Sequence, residues 1–194
     1  NLSLPIVVVS LLVSLEMASV FSVYTMVFFG ISGVITIFTS GMSAAFGNMF
    51  ANNEKEAINK YHNYFEFLIY ILITILYSVT LALIIPFIKL YLFDADINYI
   101  FPTLAILFTI WSVIRGTAIP SQTIINASGK WKLVTKKNIY QMSFLFVSML
   151  IFGYFLGING ILVSMILAYL YRTILLMIAA NGKILKAGHI TTIR

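Results

Sequence analysis

The sequence predicts an all-α protein, a polytopic bundle of about six transmembrane helices. Hydrophobic residues make up 61% of the chain and charged residues only 9%, whereas a soluble domain carries about 25% charged residues. The uncharged runs lack the apolar–polar alternation that is typical of a membrane β-barrel. Because only helices and closed barrels satisfy the backbone in lipid, these runs indicate helices.

The expected spans follow from where the apolar runs begin and end, since a spanning helix needs ~20 mainly apolar residues. They lie at about 1–15, which is a partial span, and at 21–42, 67–88, 98–123, 138–155 and 161–180. The glycine-rich segment GYFLGING should turn the chain between the last two spans. Together they form a single transmembrane domain, 1–194. Because the chain starts at Asn1 without a basic segment, we expect a fragment that carries no cleavable signal peptide.

The loop charges predict the orientation. Numbering the loops alternately places nine of the twelve Lys and Arg residues on one side: Lys55, Lys60, Lys130, Lys132, Lys136, Lys137, Lys183, Lys186 and Arg194. The other side holds Lys89, Asp94, Asp96 and Glu16. Because positive loops face the cytoplasm, the 51–62 loop, the 127–137 loop and the C-terminus are expected to be cytoplasmic.

The stretch from Trp111 to Lys137 carries the best candidates for a substrate-binding site. Arg115, Gln122 and Asn126 are spaced by 7 and 4, so they share one side of a helix. Pro120 lacks an N–H group and is expected to break this helix. A charge at mid-bilayer costs roughly 2.5–3.5 kcal/mol, so Arg115 should face a cavity or a partner. The open alternative is that its long stem lets it reach the headgroups.

Other polar residues are weaker candidates. Arg172 is a further embedded charge, although snorkelling or anchoring near its helix end is the favoured explanation. Glu16 and Glu66 could couple proton or cation movement, but both lie near span ends, where an interfacial role is expected. His62 and His189 are expected at the surface. The sequence contains no metal motif, catalytic constellation or cysteine, so we expect no metal, no cofactor, no nucleic-acid partner and no enzyme activity.

Four stretches resemble one family in their order and spacing, over nearly the whole chain. They are VFSVYTMVFFGISGVITIFTSGMSAAFGNMFANNEKEA, PFIKLYLFDADINYIFPTLAILF, IRGTAIPSQTIINASGKWKLVTKKNIYQ and GINGILVSMILAYLYR. They are similar to the C-terminal half of O-antigen-translocase-like flippases of the MOP (multidrug, oligosaccharidyl-lipid, polysaccharide) superfamily. The resemblance implies a twelve-helix bundle of two halves in the bacterial cytoplasmic membrane, with both termini cytoplasmic.

The same resemblance implies a function and partners. Such proteins move undecaprenyl-diphosphate-linked oligosaccharides across the phospholipid bilayer by alternating access, in some members with coupling to an ion gradient. Arg115 and Arg172 are the residues that could supply the cationic lining of the cavity. A missing N-terminal half would complete that cavity, so this chain alone should be inactive. The alternatives are a multidrug or metabolite exporter of the same superfamily, a non-transporting membrane subunit of a glycan-assembly system and, less favoured, a membrane-bound transferase.

Overall fold

The computed structural model describes residues 3–93 and 97–185, and within these residues the chain forms helices and no strand. The prediction of an all-α fold is therefore confirmed. The helices are α1 (Ser3–Leu12), α2 (Leu15–Ala51), α3 (Lys55–Tyr91), α4 (Pro102–Thr117), α5 (Ile119–Ala127) and α6 (Lys132–Ala180), followed by a short π-helical turn (Asn181–Leu185). Asp94, Asp96, Lys186, His189 and Arg194, which contributed to the sequence predictions, lie outside the described residues.

Four helical stretches within the described residues are long and apolar enough to cross a membrane. They are Leu15–Ala51, Lys55–Tyr91, Pro102–Ala127 and Val134–Ala180. Large apolar side chains are exposed along them, among them Ile37, Phe67 and Leu170, and a lipid environment removes the cost of that exposure. The membrane character that the composition predicts is therefore matched by the fold.

The helices run further than the apolar windows indicate. At the start of α2, the hydroxyl of Ser14 accepts a hydrogen bond from the N–H of Met17, which stabilises a helix N-terminus. The α2–α3 connection is only a tight turn, with Asn53 at a φ of 57°. α2 continues through an uncharged segment to Ala51, and α3 begins with charged, helix-favouring residues at Lys55. The expected 51–62 loop is therefore largely helical.

The longest helix, α6, reverses its direction at Gly157. This residue has φ 59° and ψ −140°, a conformation that is essentially restricted to glycine. Two residues of the arm before Gly157 (Tyr140 and Phe144) line one cleft with Leu167 and Tyr171 of the arm after it. The two arms, 132–156 and 158–180, therefore pack side by side in opposite directions, as the segment GYFLGING predicts.

The ends of several helices meet on one side of the bundle. A common pocket contains Asn53 of the α2–α3 turn, Lys130 of the α5–α6 turn and Ile184 beyond α6. We call this side, which carries the α2–α3 turn, the α5–α6 turn and the end of α6, the basic side. On the opposite side, the hydroxyl of Tyr24 near the start of α2 bonds to the backbone of Phe101, just before α4.

An aromatic cluster holds α2 against α4. Phe108 of α4 stacks on Tyr24 and Phe28 of α2, with ring centroids 5.8 and 5.6 Å apart, and all three side chains are buried. By contrast, an added Cβ at Gly30, Gly33 or Gly41 would meet no atom within 4 Å. These α2 glycines therefore mediate no close packing among the described residues.

Candidate functional site

A cavity of about 240 Å³ lies between α2, α3, α4, α5 and the second arm of α6. Its polar lining consists of hydroxyl, amide and guanidinium groups: Ser32, Thr36, Thr39, Tyr77, Arg115, Gln122, Thr123 and Arg172. Among the residues that the structure describes, no aspartate or glutamate lines it. The cavity is therefore a polar, positively charged space inside an otherwise apolar bundle.

Both arginines lie deep along their helices. Arg115 lies roughly 20 Å along the axis from Pro102 and roughly 18 Å from Ala127, at the usual helical rise per residue. By the same measure, Arg172 lies roughly 22 Å beyond the reversal at Gly157 and roughly 12 Å before the end of α6 at Ala180. Because a hydrocarbon core is ~30 Å thick, neither guanidinium is placed at the end of its span.

The guanidinium of Arg115 is held by aromatic rings. Its central carbon lies 5.2 Å from the ring centroid of Phe29 and 5.4 Å from that of Trp111, which is within cation–π range. The side chain is half-buried. No carboxylate among residues 3–93 and 97–185 lies within salt-bridge distance of it. The rings fix the guanidinium in the cavity wall and leave its N–H groups available for a ligand.

Arg172 is anchored differently, through the amide side chains of α5. Its Nη2 donates a hydrogen bond of 2.9 Å to Oε1 of Gln122. The Nε2 of Gln122 in turn donates to Oδ1 of Asn126 at 2.7 Å. At the next residue, the hydroxyl of Thr173 donates a hydrogen bond of 3.0 Å to the carbonyl of Ile114. This network holds the second arm of α6 against the α4–α5 break and sets the direction of Arg172.

The break between α4 and α5 positions these groups. α4 ends at Thr117 and α5 begins at Ile119, so the irregular residue is Ala118. Pro120 lies in the first turn of α5, where the missing N–H costs no helical bond. Next to the break, an added Cβ at Gly116 would lie 2.8 Å from Cδ1 of Ile73. The missing side chain at Gly116 therefore lets α3 approach closely beside Arg115.

The structure brings together three of the four predicted substrate-binding residues. Arg115, Gln122 and Arg172 line the cavity, and Asn126 is joined to it through its bond with Gln122. Ser32, Thr36, Thr39 and Tyr77 are additional lining residues that sequence reasoning missed. Their signal was present on α2, where spacings of 4 and 3 place three hydroxyl residues on one helical face.

The two carboxylates proposed for ion coupling lie outside the cavity. Glu16 is exposed in the first turn of α2. Glu66 is half-buried, accepts a hydrogen bond from the hydroxyl of Tyr70, and lies 4.0 Å from Nε2 of His62. The expectation that His62 lies at the surface is wrong, because its side chain is 1% exposed and packs edge-on to Phe46.

The burial of His62 has a simple cause. It falls on the same helical face as Ile58, Phe65 and Ile69, which are also buried. The charged residues around it suggested a solvated loop, but the spacing of 4, 3 and 4 is that of an internal helical stripe.

No group of three or more His, Cys, Asp or Glu side chains in the described parts of the chain could hold a metal ion.

Fold and site together define a class: an apolar α-helical bundle, suited to a membrane, with a half-open cavity that two arginines line. Comparison with protein-family models, with curated proteins and with solved structures gave no match for this chain.

Proposed function

We propose that the chain is part of a membrane transporter that moves an anionic, lipid-linked oligosaccharide, with an undecaprenyl-diphosphate carrier, across the bacterial cytoplasmic membrane. The observation that carries the proposal is the cavity in which Arg115 and Arg172 meet with no acidic lining residue. Desolvating two like charges together is costly. An anionic ligand offsets that cost, and a diphosphate supplies charge in the geometry that guanidinium groups bind best.

The two arginines have different roles in the proposed substrate binding. Among the described residues, Arg115 is held only by the faces of Phe29 and Trp111, so its N–H groups serve as the first contact for the diphosphate. Arg172 is already bonded to Gln122 and supplies a fixed positive charge to the same cavity. The α2 hydroxyls of Ser32 and Thr36 are donors and acceptors suited to sugar hydroxyl groups close to the phosphates.

The proposal includes a topology. The two arms of α6 count as separate spans, and α1 is a partial one, which gives about six spans in this half. The basic side and the C-terminus face the cytoplasm, where positive loops are favoured. A second, N-terminal half packs against the exposed α2 face near Gly30 and Gly33 and closes the cavity. Rocking of the two halves then opens the cavity to either leaflet in turn.

Translocation of a fluorescent lipid-linked oligosaccharide in proteoliposomes tests the function, with the protein that contains this chain. Arg115→Ala should lower the rate at least tenfold, because a hydrogen bond to a charged group contributes about 1.5–3 kcal/mol. Lys136→Ala, which removes the same charge from an exposed site on the basic side, is the matched control and should leave the rate unchanged. Equal rates for the two variants would remove Arg115 from the mechanism.

The alternatives make different predictions in the same assay. An exporter of cationic drugs would be opposed by the two arginines, so Arg115→Ala would raise or preserve its transport. A non-transporting subunit of a glycan-assembly system would show no translocation, with or without Arg115. Transport by an anionic metabolite exporter would depend on Arg115, but the lipid-linked oligosaccharide would not compete with the metabolite for transport.

A further inference from the structure

A second pocket of about 250 Å³ opens on the basic side, away from the cavity that contains the arginines. Three separate parts of the chain form it: the α2–α3 turn with the first turn of α3, the α5–α6 turn, and the π-helical turn that follows α6. None of the proposed transport residues lines it. The pocket is therefore a separate feature that the proposed function does not use.

The polar side of this pocket consists of donor groups. Lys55 and Lys130 approach it from two different connections, and Asn53 and Asn59 add amide groups between them. No carboxylate in the described parts of the chain lies within salt-bridge distance of either lysine. Two ammonium groups and two amides around one hollow form a site for an anion with several acceptor oxygens, of which phosphate is the best match.

The other side of the pocket is apolar. Its walls are Phe50, Ile58, Ile184 and Leu185, and both Ile58 and Ile184 are largely buried. A free, fully hydrated phosphate would gain nothing from these walls. A phosphate that carries a glycerol backbone and acyl chains would bury apolar surface against them, which is favourable.

The position of the pocket points to the same ligand. It lies where the apolar stretches of α2 and α6 end, beside Phe50 and beyond Ala180. Because the apolar runs end there, we expect a bilayer to present its headgroups at this level. Basic pockets between transmembrane helices on the cytoplasmic side are suited to anionic lipid headgroups. We propose that this pocket binds the headgroup phosphate of an anionic glycerophospholipid, with Lys55 and Lys130 as its ligands.

The test is native mass spectrometry of the purified protein in detergent, titrated with phosphatidylglycerol. Phosphatidylcholine, which has a phosphate but no net charge, is the lipid control. The expected result is preferential binding of phosphatidylglycerol, weakened by at least about tenfold in Lys55→Ala/Lys130→Ala, because the phosphate loses two charged hydrogen-bond donors that contact it directly. Lys136→Ala/Lys137→Ala removes the same charge outside the pocket and should retain the affinity.

A second variant separates loss of the two positive charges from general disruption of the pocket. Lys55→Arg/Lys130→Arg keeps both charges and should bind within a few-fold of the unaltered protein, as charge retention requires. Equal loss in the two alanine pairs would show that only the net charge of the basic side matters and would overturn the proposal. Displacement of the lipid by millimolar inorganic phosphate would assign the pocket to free phosphate and would also overturn it.

No transport substrate is present in this experiment. Its outcome therefore leaves the proposed flippase function unaffected, and failure of the translocation assay leaves the lipid site untouched.

Discussion

Replacing Gly160 by alanine should disrupt the reversal of α6. A Cβ at Gly160 would overlap the carbonyl oxygen of Phe152 and lie 2.9 Å from Cβ of Leu156. A backbone carbonyl cannot rotate away as a side chain does, so the two arms would have to separate. Overpacking of this kind costs about 1–3 kcal/mol, and contact with backbone belongs at the upper end.

For a chain of this size, a loss of about 3 kcal/mol lowers the Tm by roughly 6–12 °C. The assay is thermal unfolding in a mild detergent, followed by intrinsic fluorescence or by circular dichroism. Gly33→Ala is the matched control, because its added methyl group meets no atom within 4 Å. That substitution should leave the Tm unchanged or raise it slightly, since alanine favours a helix by about 1 kcal/mol over glycine. Equal Tm values for Gly160→Ala and Gly33→Ala would refute the backbone contact that defines the reversal.

Two further substitutions test the contacts that shape the site. Gln122→Leu should destabilise the protein by about 1.5–3 kcal/mol, because Arg172 loses a hydrogen-bond acceptor in a partly buried position. Gln122→Glu, which keeps an acceptor, should retain or raise the Tm in the same thermal assay. Tyr24→Phe should cost about 1–3 kcal/mol, because its hydroxyl is the partner of the carbonyl and the N–H of Phe101. Thr36→Val, which keeps a similar shape at an exposed position, is the comparison for both, and a Tm loss there as large as in Tyr24→Phe would contradict this assignment.

The class of fold could be predicted from the sequence because it follows from bulk properties. Composition and run length are sufficient to require apolar helices, and Gly157 falls in the turn that the glycine-rich segment indicated. The helix ends could not be read in the same way. The stretch after Glu54 looked like a loop because its charges interrupt the apolar run. Charged residues also favour a helix, however, so α3 includes this stretch.

The site was only partly accessible to sequence reasoning. The spacing of Arg115 and Gln122 was a local signal, and the structure places both in one cavity. The bond between Gln122 and Arg172 joins residues 50 positions apart. It depends on how the second arm of α6 packs against α5, which no local pattern specifies. The helical spacing of His62 was a local signal for its burial, but its charged neighbours suggested a surface position instead.

The α2 hydroxyl stripe shows a further limit. Ser32, Thr36 and Thr39 also bond to the carbonyls of their own helix, as such residues do in any apolar helix. Their spacing alone could not distinguish a cavity wall from a stripe that satisfies itself. Only the neighbouring guanidinium groups mark that face as part of a candidate site.

The most direct test of the central claim, a hydrated cationic cavity within the bundle, is cysteine accessibility. The chain has no cysteine of its own, so Thr36→Cys in the cavity wall and Ile37→Cys, whose native side chain is 74% exposed on the outer surface, give a matched pair. Membrane-impermeant methanethiosulfonates, one anionic and one cationic, are applied to the protein in vesicles, and their rates are compared with those for a free thiol.

We predict that the cysteine at position 36 reacts, that it favours the anionic reagent by about tenfold, equivalent to 1.4 kcal/mol, and that Arg115→Ala reduces this preference. The cysteine at position 37 should remain unmodified among the acyl chains. A cysteine at position 36 that is as inert as its neighbour, or that reacts equally with both reagents, would contradict the account.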